Sequence, residues 1–162
     1  MGKPNKTNNT KQSFLNSVDS LEETTFDGIG ELITISFKYF CVSQIPVGQN
    51  FSDWKDNMQL DLLQKLAEYT KYSRKHWKNE FSNGLPLLAE YGSFPKNSDF
   101  YVPSNIPCHD ELIWSRFRLM QKVRVCGFFV PKDIAKKYNL SENTFYVVFL
   151  DKEHRFYKTE KA

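Results

Sequence analysis

The sequence predicts an α+β fold: a largely antiparallel four- or five-stranded sheet covered by one long helix, with a short inserted helix. Three observations lead there. Residues 32–42 alternate apolar and polar side chains with the period of two that a half-buried strand requires. Trp54, Met58, Leu62 and Leu66 recur at four-residue spacing, which lines one face of a helix. Residues 144–150 are β-prone and apolar on both sides, the pattern of a central strand covered on both faces.

Composition sets the outer bounds. A chain of 162 residues with 40% hydrophobic and 15% aromatic content can bury one sizeable core. Residues 1–12, with Lys3, Lys6 and Lys11, read as a disordered basic tail, which leaves 13–162 as a single α+β domain. The N-terminus lacks the apolar stretch of a signal peptide, and no apolar run reaches membrane-spanning length, so the expected location is the cytoplasm. A net charge of +3 permits a polyanionic partner without demanding one. Three cysteines make no disulfide framework. Cys108 precedes His109, but no Cys-x-x-Cys pair accompanies them, and no metal is expected.

Taken in order, Phe14, Leu15, Val18 and Leu21 form a short helix or a pinned arm, and Gly28 and Gly30 break the chain. In 32–42, Ile33, Ile35, Phe37, Tyr39 and Cys41 share the buried side of the first strand. Ser52 or Asp53 caps the long helix, which runs to about Ser73 or on through Trp77, with Leu63, Ala67 and Thr70 widening its apolar stripe. Residues 82–110 hold four prolines and two glycines and read as loop, with a helical turn near 85–91. Phe94, Phe100 and Tyr101 pin that loop to the body. Residues 112–119 and 123–130 form a hairpin. Pro131 opens a short helix to Tyr138. After the strand at 144–150, residues 151–154 turn and Arg155–Tyr157 leave along the sheet.

Three places carry possible chemistry. Arg116 and Arg118 lie two residues apart on one strand and face the same side. Arg124 joins them if the hairpin register allows. Such guanidinium groups suit phosphate or carboxylate recognition, or equally cross-strand pairs with Asp110, Glu111 or Glu153. At the C-terminus, His154 can move a proton, Arg155 can stabilise charge on phosphate, and Tyr157 can orient it or stack on a base. Together these residues suit RNA cleavage without a metal. They equally suit an ordinary strand end, with Asp151 and Glu153 exposed at its turn. Arg74, Lys75 and Lys78 form a basic helix end, which complements the helix dipole or contacts nucleic acid. No Gly-x-Gly-x-x-Gly, phosphate-loop, His-Glu-x-x-His or Gly-x-Ser-x-Gly motif occurs, and no cofactor is expected.

The segments Ile35–Tyr39, Arg124–Phe129 and Phe145–Tyr157, with the Trp54 helix between, resemble a small uncharacterised bacterial family. Its terminal strand ends in a Leu-Asp-x-x-His-x-x-Tyr pattern, here Leu150 to Tyr157. The layout over 32–157 is also similar to the RelE/ParE-like toxin fold. That resemblance implies one of two activities: messenger-RNA cleavage by basic and aromatic residues of the sheet and terminal strand, or inhibition of DNA gyrase. The helix at 131–138 and the segment at 82–110 depart from the minimal toxin layout and argue against ribosome-bound cleavage.

The expected function is therefore nucleic-acid binding, RNA favoured, as a metal-independent endoribonuclease of toxin or defence type. The alternatives are a non-catalytic protein-interaction module or inhibitor from a mobile-element or defence system, and a small-ligand protein with 82–110 as its lid.

Overall fold

The computed structural model of the chain describes residues 28–46 and 49–158. The chain divides into two units, residues 1–30 and 31–162. In the first, only Gly28, Ile29 and Gly30 are described; the basic tail and the segment from Phe14 to Leu21 lie outside the described residues. Among the described residues no helix is long and apolar enough to cross a membrane.

The second unit is α+β. Its strands are β1 (Thr34–Ser36), β2 (Phe81–Ser82), β3 (Leu85–Pro86), β4 (Leu88–Gly92), β5 (Ile113–Met120), β6 (Val123–Phe129) and β7 (Thr144–Asp151). Its helices are α1 (Asp56–Tyr69), α2 (Arg74–Asn79) and α3 (Lys132–Lys137). Five strands form one sheet in the order β1-β7-β6-β5-β4, and β2 and β3 form a separate hairpin. Among the described residues only the β1–β7 pair is parallel; the β4–β5, β5–β6 and β6–β7 pairs are antiparallel.

The sheet separates two apolar layers. On one face Leu62, Leu66, Tyr69 and Trp77 of the helices pack on Phe117, Val125, Phe129 and Phe145. The Tyr69 hydroxyl donates to the Arg118 carbonyl and ties α1 to β5. On the other face Trp114, Cys126, Phe128 and Phe149 are covered by Phe100, Ile106, Ala135 and Phe156. The irregular segment after β4, α3 and the chain end thus do the work of a second helical layer.

Several elements differ from the sequence expectation. The helix is not continuous to Ser73 or Trp77. Ser73 instead accepts a hydrogen bond from His76 N and caps a new helix, while the Trp77 indole donates to the Tyr69 carbonyl at the end of α1. Neither Ser52 nor Asp53 caps α1, whose N-cap is Lys55 with no side-chain bond; Asn50 caps the 3-10 turn ahead of it and forms a reciprocal box with Asp53. Leu63 and Ala67 are exposed, and Tyr69 completes the buried stripe instead. The first strand stops at Ser36, because Phe37 and Phe40 turn away to pack on Phe51. Its place beside β7 is then taken by the Cys41 N–H, which donates to Val148, and by the buried Gln44 side chain, which exchanges two hydrogen bonds with the Leu150 backbone.

The helical turn expected near 85–91 is strand. Asn83 and Gly84 have φ of 53° and 74°, the two positive values of a tight hairpin turn, which folds β2 onto β3. Tyr101 is exposed; Ile106 pins the following segment in its place. The central strand is β6, and β7 lies between it and β1. Beyond Asp151 the chain bends rather than continuing as strand, and Phe156 inserts into the second apolar layer.

The β6–β7 pair is irregular between Cys126 and Gly127. A Cβ on Gly127 would sit 2.0 Å from the Tyr146 carbonyl oxygen and 3.1 Å from the Phe145 ring. Both neighbours are fixed by the sheet. Gly127→Ala is therefore expected to destabilise the fold by about 1–3 kcal/mol in urea denaturation, as overpacked cores do.

Candidate functional site: an arginine cluster beside a stacked tyrosine pair

The second sheet face changes character along its strands. Cross-strand partners place Arg116 opposite Cys126, Arg118 opposite Arg124, Cys126 opposite Phe149, and Arg124 opposite Asp151. Moving along β5, the face reads Trp114, Arg116, Arg118; along β6 in the matching direction it reads Phe128, Cys126, Arg124. The aromatic end is core. The basic end gathers three guanidinium groups, and the hairpin register brings Arg124 directly beside Arg118. Like charges placed opposite one another disfavour the pair.

These arginines are not surface decoration. Arg116 is 8% exposed and Arg124 is 4% exposed, while Arg118 is half-buried. Arg124 Nη1 donates to the carbonyls of Met120, Gln121 and Val123 and so holds the β5–β6 turn. Arg116 donates to the Tyr91 hydroxyl at 3.1 Å and to the Pro86 carbonyl at 3.2 Å. Arg118 donates to the Gln121 carbonyl at 3.3 Å. Among the described residues, none of the three has a carboxylate within 4.0 Å, and the pairs with Asp110, Glu111 or Glu153 do not form. Arg118 Nη1 and Arg124 Nε are buried with no hydrogen-bond partner. Burial, then the charges of Arg116 and Arg118, push the Arg124 pKa down to about 10.

One carboxylate answers them at longer range. Asp151 is fully buried, not exposed at a turn as the sequence suggests. Its oxygens accept from the backbone N–H groups of Glu153, Arg155 and Phe156. Burial raises the Asp151 pKa, against the opposing pull of those three bonds and of Arg124. The carboxylate thereby folds the chain end into a tight bend, and within that bend His154 takes a φ of 62°.

That bend sets the positions of the terminal residues. Burial lowers the His154 pKa from its ordinary 6.5, and Arg124, Arg116, Arg118 and Lys122 lower it further. His154 thus lies within the field of the arginine cluster, which with burial favours the neutral imidazole. Tyr157 stacks on Tyr91 with centroids 4.7 Å apart and an interplanar angle of 13°. Since the Tyr91 hydroxyl accepts from Arg116, the stacked pair adjoins the cluster. Arg155 points elsewhere: its Nε lies 3.0 Å from Asp99, and Nη1 lies 3.5 Å from Glu153.

The basic helix end is a separate place. Arg74 and Lys78 both pair with Glu90, at 2.6 and 2.9 Å, and Arg74 covers the Phe129 ring. Burial pushes the Glu90 pKa up, but Arg74 and Lys78 outweigh it and hold the carboxyl below its usual range. Lys75 is exposed beside them. Sequence reasoning missed Tyr91, which carries no motif, and Asp99 and Glu90, whose partners are distant in the chain.

His154 provides a direct check on the cluster. Its folded pKa lies below its unfolded value, so this group's stabilisation is complete above pH 6.5 and declines as the pH falls from there to the folded value. In an NMR titration His154 is expected to titrate below the ordinary 6.5 of a histidine. Arg118→Gln is expected to move it back toward 6.5, and an unchanged titration would separate His154 from the cluster. No protein-family model, curated protein or solved structure matches the chain, so the chemistry of this cluster is what speaks to its function.

Proposed function

We propose that the chain binds single-stranded RNA, with phosphate on the arginine cluster and a base on the Tyr157–Tyr91 pair. The observation that carries this reading is the set of three neighbouring arginines with no carboxylate in ion-pair range and two buried, unpartnered nitrogens. Ordinary structural arginines in this chain look different: Arg74 and Arg155 each meet a carboxylate at 3.0 Å or less. A guanidinium fork left without an acid matches phosphate oxygens. The aromatic pair next to it offers a stacking surface, which suits the splayed bases of a single strand rather than a duplex.

A second reading, metal-independent endoribonuclease activity, is favoured by the neutral His154 beside the cluster. In that step the imidazole takes the proton of a ribose 2'-hydroxyl. The oxygen attacks the adjacent phosphorus, and the P–O5' bond breaks. The leaving 5'-oxygen gains a proton, giving a 2',3'-cyclic phosphate and a 5'-hydroxyl. The arginines stabilise the added negative charge on the phosphoryl oxygens. Arg155, held by Asp99, supports the bend rather than the phosphate in this scheme.

Filter binding of a single-stranded RNA across a salt series tests both readings. Arg118→Gln is expected to weaken binding and to flatten the log–log salt slope by about 0.7, the effect of one lost phosphate contact. Tyr157→Ala is expected to cost about 1–3 kcal/mol of binding, the worth of one stacked base. Unchanged affinity and slope in both variants would remove the cluster from RNA binding. His154→Ala is expected to abolish cyclic-phosphate product while leaving binding intact; persistent cleavage would dismiss the catalytic reading.

A further inference from the structure

The second sheet face carries a cavity at the end away from the arginines. Its floor is the cross-strand pair Phe128 and Tyr146, whose rings stack with centroids 5.1 Å apart. The Tyr39 ring closes on both, at 5.5 Å from Phe128 and 5.6 Å from Tyr146. Buried Leu112 and Val130 complete the apolar lining. The exposed lining residues, among them Lys38, Cys108 and Tyr138, make the mouth. The volume is about 360 Å³. That is in the lower part of the range of small-molecule sites and suits one or two fused rings rather than a polymer.

Backbone hydrogen bonds hold two of the walls. The Phe40 N–H donates to the Phe37 carbonyl at 3.0 Å, a turn with Lys38 and Tyr39 at its centre. At the end of α3, Asn139 takes a φ of 52°, and the Leu140 N–H donates to the Ala135 carbonyl at 2.8 Å. That is the Schellman pattern, which fixes Tyr138 and Leu140 relative to Ile134. Walls set in this way are preorganised, so little ordering accompanies binding. The lining also selects a chemistry. Its aromatic side chains favour a planar apolar body, through offset ring contacts as well as burial. Lys38 alone among the lining residues carries a charge. Its Nζ lies 5.4 Å from the Tyr39 ring centroid, and among the described residues no carboxylate lies within 4.0 Å of it. The charges that flank the cavity have contacts of their own: Lys137 lies 5.1 Å over the Tyr138 ring, Asp110 meets His109 at 3.1 Å, and Lys132 meets Glu142 at 3.9 Å. From these observations we infer that the cavity binds a small aromatic carboxylic acid, with its rings on Tyr39, Phe128 and Tyr146 and its carboxylate at the mouth against Lys38. The cavity shares no lining residue with the arginine cluster, so this site does not rest on the RNA-binding reading.

The test uses three probes that share one ring system: naphthoate, naphthamide and naphthylmethylammonium. Binding to the full chain is followed by isothermal titration calorimetry. Naphthoate is expected to bind saturably and about fivefold tighter than naphthamide, the upper worth of one exposed ion pair, with the ammonium probe weakest. Lys38→Met is expected to bring naphthoate to the level of naphthamide without lowering Tm, because Lys38 is exposed and outside the core. Cys108 reports the location. It is exposed, whereas Cys41 is half-buried and Cys126 is buried. Saturating naphthoate is expected to slow modification of Cys108 by a thiol reagent severalfold. Equal affinity for the three probes would overturn the carboxylate preference, and unchanged Cys108 labelling at saturation would overturn the location. No saturable binding of any probe would overturn the site.

Discussion

Asp151 ends β7 with its carboxylate buried, accepts three backbone N–H groups from the residues that follow, and stands across the sheet from Arg124. A carboxylate in that position is costly to desolvate unless hydrogen bonds and positive charge surround it. Both conditions are met here from different sources. The backbone of the terminal bend supplies the hydrogen bonds, and the arginines of β5 and β6 supply the charge. The same contacts lock His154 into its left-handed conformation, place Phe156 in the core and bring Tyr157 against Tyr91. The chain end, the sheet and the candidate site therefore share one electrostatic centre.

The centre is unbalanced by design of its own residues. Three guanidinium groups meet one carboxylate, and backbone carbonyls rather than acids hold all three in place. Carbonyl contacts orient an arginine without cancelling its charge. That preserves the field that depresses His154 and leaves nitrogens of Arg118 and Arg124 facing no acceptor. Elsewhere the chain shows the opposite solution, with Glu90 shared between Arg74 and Lys78, and Asp99 shared between Arg155 and Lys158. Those paired charges fix the fold, whereas the arginine cluster keeps its charge uncancelled.

Much of this was legible from particular residues. Strand periodicity alone puts Arg116 and Arg118 on one face, and the two-residue Gln121–Lys122 link makes their strand pair with that of Arg124. The apolar run of β7 announces a strand covered on both faces. Other features are not local in sequence. The break at Ser73 is hidden inside an amphipathic run, where a capping serine looks like any polar helix residue. Asn83–Gly84 carries a hairpin signal that the surrounding prolines and glycines mask. Gln44 imitates a strand with its side chain, which no periodicity reveals. The burial of Asp151 depends on a bend made by residues after it, so its exposure could not be read from composition. Tyr91 joins the site only because β4 pairs beside Arg116.

We propose that Arg124, opposite Asp151, and its neighbour Arg118 form an anion site that Arg74 and Arg155 do not share. The most direct measurement is a phosphate titration followed through the arginine Nε–H resonances by heteronuclear NMR. The account predicts saturable shifts at Arg118 and Arg124, with Arg74 and Arg155 unmoved because Glu90 and Asp99 already occupy them. Equal small shifts at all arginines, or saturation at Arg74 or Arg155 alone, would contradict it.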